Sequence, residues 1–122
     1  MTAGAVVGEP PEERIEAAAL HRDGLYHLVT GTEWVEHRRA GAVVPESLAS
    51  EGFVHCSWGR QVAGTVARHF AACEDLLVLE LDVAALGDVA LVEEDTTGSG
   101  QTFPHLYGPV PLGAVVSVAR LR

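Results

Sequence analysis

The stretch Phe103-Pro104-His105-Leu106-Tyr107-Gly108-Pro109, with Pro111 close behind, decides how this chain is read. Each proline holds φ at about −65° and removes a backbone donor. The residue ahead of each is pushed towards extended conformations. The segment therefore cannot be helical. Side chains alternate along extended chain, so His105 and Tyr107 fall on one face. A stiff backbone carrying an imidazole beside a phenol can form a binding wall, whereas the plainer reading is a proline-rich strand end whose aromatics fill the core.

Working back from that stretch, the second half of the chain reads as strands. Leu76 to Leu81 is almost wholly apolar and predicts a buried strand. Val89 to Val92 predicts another, running into Glu93-Glu94-Asp95, and Val115 to Leu121 a last one. Thr96 to Gln101, rich in Gly, Ser and Thr, reads as a flexible loop. The first half alternates strand and helix. Leu25 to Thr30 is aromatic and β-branched between glycines, a strand. Thr30 and Glu33 fit a capping box ahead of a helix from Glu33 to Ala40, stopped by Gly41, with Trp34 and Val35 as its core residues. Pro45 opens a helical turn to Ser50. Gly52 to Ser57 predicts a strand with Phe53, His55 and Ser57 on one face and Val54 and Cys56 on the other. Ser57 is placed to cap a helix from Arg60 to Ala72, whose stripe is Val62, Val66, His69, Phe70 and Cys73. Residues 1–22 read as a mobile tail or a short helix, and residues 23–122 as a single domain. The expected fold is α+β, with a split mixed or antiparallel β-sheet and two or three short helices.

Composition narrows the function. The 122 residues fit one domain, 48% of them apolar. No apolar run nears the ~20 residues that span a bilayer. The N-terminus has no basic region followed by an apolar one, so the expected location is cytoplasmic, with no membrane partner. The formal charge is −9, the basic residues are eight arginines without a lysine, and no basic cluster exceeds Arg38-Arg39. Such a field repels phosphate backbones and argues against a nucleic-acid partner. Cys56 and Cys73 lack metal or redox spacing and read as buried free thiols. The oligomeric state is not readable.

Three histidines fall on strands or extended chain: His27, His55 and His105. One arrangement is a three-histidine zinc site, but no local spacing brings two ligands together. The other is a metal-free cleft for a small molecule. There His27, Ser57 and Tyr107 bind the ligand, and His55, His105 and Glu94 serve as acid, base or hydroxyl acceptor. Ser57 at a helix N-terminus also suits a phosphate. Cys56 points away from His55, which argues against a thiol nucleophile.

Tyr26-His27-Leu28, Glu33-Trp34, the run Ser47 to Ser57 containing Gly52-Phe53-Val54-His55-Cys56-Ser57, and Phe103-Pro104-His105-Leu106-Tyr107, in this order, resemble the bacterial domain-of-unknown-function 952 family over residues 24–121. That family is similar in fold to the ADP-ribosyltransferases, which implies a cleft between two sheets holding NAD or an ADP-ribose-like group, with NAD as a substrate. The resemblance implies that His27 meets a ribose hydroxyl, that His55 and Ser57 face the nicotinamide side, and that Glu94, or else Glu93, completes the set. His105 and Tyr107 belong to the family's own signature. The Arg-His-Arg-Arg set of the tRNA 2′-phosphotransferases is not visible. Fold does not fix function, so two alternatives stand: a non-catalytic sensor, or an acid/base enzyme acting on an unrelated small molecule of a biosynthetic pathway.

Overall fold

The structure is a computed structural model that describes residues 8–122. The tail expected at the N-terminus lies outside the described residues up to residue 7. Beyond it, the helical alternative for this stretch comes down to a 3-10 turn at Ala17–Ala19. The Ile15 amide donates to the Arg120 carbonyl, and Ala17 and Leu20 pack against the body.

The fold is α+β, built on antiparallel sheets and three α-helices. A four-stranded sheet contains β1 (Leu25–Thr30), β4 (Ser57–Trp58), β5 (Leu76–Leu81) and β9 (Val115–Arg120), in the order β4-β1-β5-β9. A three-stranded sheet is ordered β3-β7-β6, from β3 (Val54–His55), β7 (Phe103–Tyr107) and β6 (Ala90–Glu94). A short ladder joins β2 (Ala42–Val43) to β8 (Val110–Pro111). Every pairing between these strands is antiparallel, and an isolated parallel bridge joins Arg14 to Arg120.

Residue choice explains the layering. Along β5, Leu77, Leu79 and Leu81 enter one apolar cluster with Val54 and Leu106. Leu76 and Val78 enter a second cluster with Tyr26, Leu28 and Val62. The strand is covered on both faces, hence its nearly unbroken apolar run. Burying each such side chain stabilises by about 1.5–3 kcal/mol before entropy is counted. The helix α3 (Gly59–His69) covers the second cluster through Val62, with Val66 and Phe70 packed beside it.

The helix α1 (Gly31–Ala40) begins at the expected capping box: the Glu33 amide donates to Thr30 Oγ1 at 3.1 Å and the Thr30 amide to Glu33 Oε1 at 2.8 Å. It ends at Gly41, whose φ of 81° suits a residue without Cβ. Trp34 is fully buried, but Val35 is 43% exposed rather than core. The inward residue after Trp34 is His37, three positions on, because 3.6 residues make a turn. The helix α2 (Glu46–Ser50) follows the proline signal.

The strand expected over 52–57 is two strands. β3 pairs with β7 and β4 with β1, so the chain changes sheets at Cys56, whose amide donates to the Pro104 carbonyl at 3.0 Å. Facing is preserved across the break, since Val54 and Cys56 both enter the inter-sheet cluster. Ser57 does not cap α3; Trp58 occupies the N-cap position. Helix α3 stops at His69 rather than Ala72, and His69 is exposed rather than part of the apolar stripe. β6 extends two residues past Val92, which puts Glu93 and Glu94 on opposite faces.

Candidate functional site

The split at Cys56 opens a cleft. β1 pairs with β4 only at Leu25 and Tyr26, so from His27 onward its free edge faces the end of β3. A cavity of about 620 Å³ lies there. His27, His55, Cys56 and Ser57 line its floor. Helix α3 forms one wall, the loop 96–101 with Phe103 and His105 another, and Glu33 with residues 45–47 a third.

His27 sits at the split itself, 6% exposed. Its Nδ1–H donates to the His55 carbonyl at 2.6 Å. That bond fixes the proton on Nδ1 and leaves Nε2 as an acceptor. Among the described residues Nε2 is buried without a partner. Burial pushes this imidazole down to about 4, so it is neutral at physiological pH. His37, which approaches from α1, is its counterpart. Its Nδ1 accepts from the Val44 amide at 3.2 Å, so Nε2 carries the proton; that nitrogen too is buried without a partner among the described residues. Burial also lowers the His37 pKa.

His105 and His55 are direct cross-strand neighbours on β7 and β3, with ring centroids 5.2 Å apart. Each is bound to a carboxylate. His105 Nδ1 donates to Glu94 Oε1 at 2.9 Å, and His55 Nε2 lies 3.1 Å from Glu51 Oε2. Glu94 also accepts from the Tyr107 hydroxyl at 2.5 Å. Hydrogen bonds from Tyr107 and then from His105 hold the Glu94 carboxyl below the usual carboxylate range, while the same carboxylate raises the Tyr107 phenol. Phe53 lies flat on the His105 ring, centroids 4.1 Å apart and planes 17° off parallel. The stacking and the carboxylate fix the ring, and Nε2 is the nitrogen left for the cleft.

Ser57 is buried and shares its hydroxyl with Thr65 Oγ1 of α3 at 2.9 Å. The Gly59 amide donates to the Gly24 carbonyl at 2.9 Å, and the Arg60 amide to the Arg22 carbonyl at 3.1 Å. The first amides of the helix are therefore already satisfied by protein, and a phosphate at this N-terminus would have to displace them. Cys56 is buried, with its side chain in the apolar cluster between the sheets, and burial pushes its thiol up. Among the described residues no three His, Cys, Asp or Glu side chains are gathered to hold a metal ion.

The chain matches the family described as "Protein of unknown function (DUF952)" over residues 28–118. The chain belongs to the DUF952 family. In structure it is similar to CC0527 from Caulobacter crescentus. The crystal structure of that protein is 30% identical, with a TM-score of 0.70 over 80% of this chain and 84% of that one. A solution NMR structure of CC0527 is also 30% identical, with a TM-score of 0.67 over 80% and 83% of the two chains. No curated protein matches the chain.

In this DUF952 protein, four of the six residues singled out from sequence, His27, His55, Ser57 and His105, line one cleft. Glu94 and Tyr107 are not among its lining residues; they stand behind His105 as its hydrogen-bonded support. Glu94, not Glu93, is on the His105 side, and Glu93 instead accepts from the Trp58 indole at 3.0 Å. Sequence reasoning missed Glu51, Phe53, Arg68 and Asp95. Asp95 had a signal: an acid opening a Thr-Thr-Gly-Ser-Gly loop is an Asx-turn pattern. Its carboxylate accepts from the amides of Thr97, Ser99 and Gly100, so the loop has a fixed centre. No helix among the described residues is long and apolar enough to cross a membrane.

Proposed function

We propose that the cleft binds a small ribose-bearing molecule of the NAD or ADP-ribose class, and that His105 moves a proton to or from it. The observation that carries this reading is the His105–Glu94 hydrogen bond at 2.9 Å, made by a ring at the edge of a cleft of about 620 Å³. A volume of roughly 300–1,000 Å³ is usual for small-molecule sites. A carboxylate on Nδ1 selects the tautomer whose Nε2 lone pair can take a proton, and it compensates the charge of the ring that results. His27 Nε2 offers a neutral acceptor for a ligand hydroxyl or amide. The ribose class rests on the likeness to ADP-ribosyltransferases drawn from the motifs, with NAD as substrate.

A second reading is supported by where Glu94 points. Its carboxylate already accepts from His105 and Tyr107. It would therefore act on a ligand through the imidazole rather than by touching a sugar directly. That arrangement serves acid–base chemistry on small molecules without ribose as well.

Thermal unfolding with NAD, NADP and ADP-ribose tests the ligand class. A ligand at 100 times its Kd stabilises by about 2.7 kcal/mol. The first reading expects such a shift, with turnover lost in His105→Gln while binding persists. No shift with any of them at millimolar concentration would overturn the ribose class and leave the second reading. Binding without turnover, indifferent to Glu94→Gln, would mean a sensor.

A further inference from the structure

The charged groups of the cleft are unevenly placed. Of the arginines, Arg38, Arg60 and Arg120 are ion-paired to Glu9, Asp23 and Asp75, and the Arg122 guanidinium donates to three carbonyls. Arg68 lines the cleft and, among the described residues, has no carboxylate partner. Its guanidinium stands over the Phe103 ring, 5.6 Å from the centroid, a contact that orients it without using its donors. Thr96, Thr97 and Ser99 line the same cleft, on the loop whose backbone Asp95 holds through three amides; the Thr97 hydroxyl also donates to Asp95 Oδ1 at 3.4 Å, so the hydroxyls left for a ligand are those of Thr96 and Ser99. The carboxylates that reach the cleft, Glu33 and Glu46, belong to the wall built by α1 and α2, and Glu33 is engaged in its capping box. In a chain of net charge −9, this is a local place where an oxyanion meets a fixed, always-charged donor fork.

Resting on the cleft reading above, we propose that Arg68 and the hydroxyls of Thr96 and Ser99 form a phosphate subsite. It replaces the site that the sequence suggested at Ser57 and the start of α3, whose hydroxyl and amides are occupied by Thr65, Gly24 and Arg22. Phe103 and His105 are two residues apart on one face of β7, a separation of roughly 7 Å. Arg68, over the Phe103 ring, and His105 line one cleft, so a ligand that reaches both carries a phosphate as well as the group His105 serves, which favours a phosphorylated sugar over a bare nucleoside.

The test is isothermal titration of pyrophosphate and of ADP-ribose into the wild-type protein, Arg68→Gln, Arg68→Lys and Arg60→Gln. A charge-assisted contact predicts at least a roughly tenfold loss of pyrophosphate affinity in Arg68→Gln, partial recovery in Arg68→Lys and no change in Arg60→Gln. Arg68 is exposed, and unchanged melting temperatures would confirm that the variants fold. Equal pyrophosphate affinity in wild type and Arg68→Gln, or no binding by wild type at millimolar concentration, overturns the subsite. Pyrophosphate binding that depends on Arg68, with no binding of ADP-ribose, supports the subsite and overturns the ribose class. ADP-ribose binding that ignores Arg68→Gln does the reverse.

Discussion

Acidification should destabilise this protein through its buried histidines, His27 above all. His27 is buried at the sheet split, and burial lowers its pKa from 6.5 to about 4. The neutral ring is the folded form. Unfolded chain takes up a proton near 6.5, folded chain only near 4, so stability rises with pH across that window. His27's contribution is complete above 6.5 and is lost as pH falls towards 4. Linkage arithmetic for these two values gives a loss of about 2 kcal/mol between pH 7 and pH 5. For a domain of this size that is roughly 8 °C in Tm. The groups whose charges act on His27 are His37, Glu33 and His55. His37 is shifted in the same direction and adds to the slope, so the comparison must isolate His27. His27→Asn does so, because its amide can stand where Nδ1 does and still donate to the His55 carbonyl. Urea unfolding at a series of pH values should give a pH slope smaller in the variant by about one proton near pH 5. Equal slopes in the two proteins would refute the assignment of a buried neutral imidazole.

Three further outcomes follow from packing and support. Gly59→Ala should cost at least about 2 kcal/mol in urea unfolding, since a Cβ there would lie 1.7 Å from the His21 carbonyl oxygen, which is backbone and cannot swing aside. A thiol reagent on the folded protein should label Cys73 quickly and Cys56 only after unfolding, because Cys56 is buried with its thiol pushed up whereas Cys73 is only part-buried; mass spectrometry of the labelled peptides reads this directly. Thr30→Ala should lower stability by about 1 kcal/mol through loss of the capping box, measured by thermal melting, with the cleft histidines' NMR shifts unchanged.

Much of the fold was legible because its signals are local. The capping box at Thr30 and Glu33, the stop at Gly41 and the prolines around His105 each act within a few residues, and the elements follow them. The alternation through Gly52 to Ser57 placed Cys56 opposite His55 correctly even though the strand is broken. The break itself was not legible, because nothing in Val54-His55-Cys56-Ser57 states that one half pairs with β7 and the other with β1. That choice belongs to tertiary pairing, and it creates the cleft. Val35 and His37 show the same limit, since apolar character suggested the wrong inward residue on α1. The site was legible as a set of histidines but not as an arrangement. Which carboxylate supports which ring, Glu94 behind His105 and Glu51 beside His55, depends on strand register and on a helix end.

The shared cleft is tested most directly by imidazole ¹⁵N resonances during an ADP-ribose titration. The account predicts that His27, His55 and His105 shift along one saturation curve, with the exposed His21, which does not line the cleft, unmoved. Saturable binding that moves His21 while leaving the three strand histidines in place would contradict it.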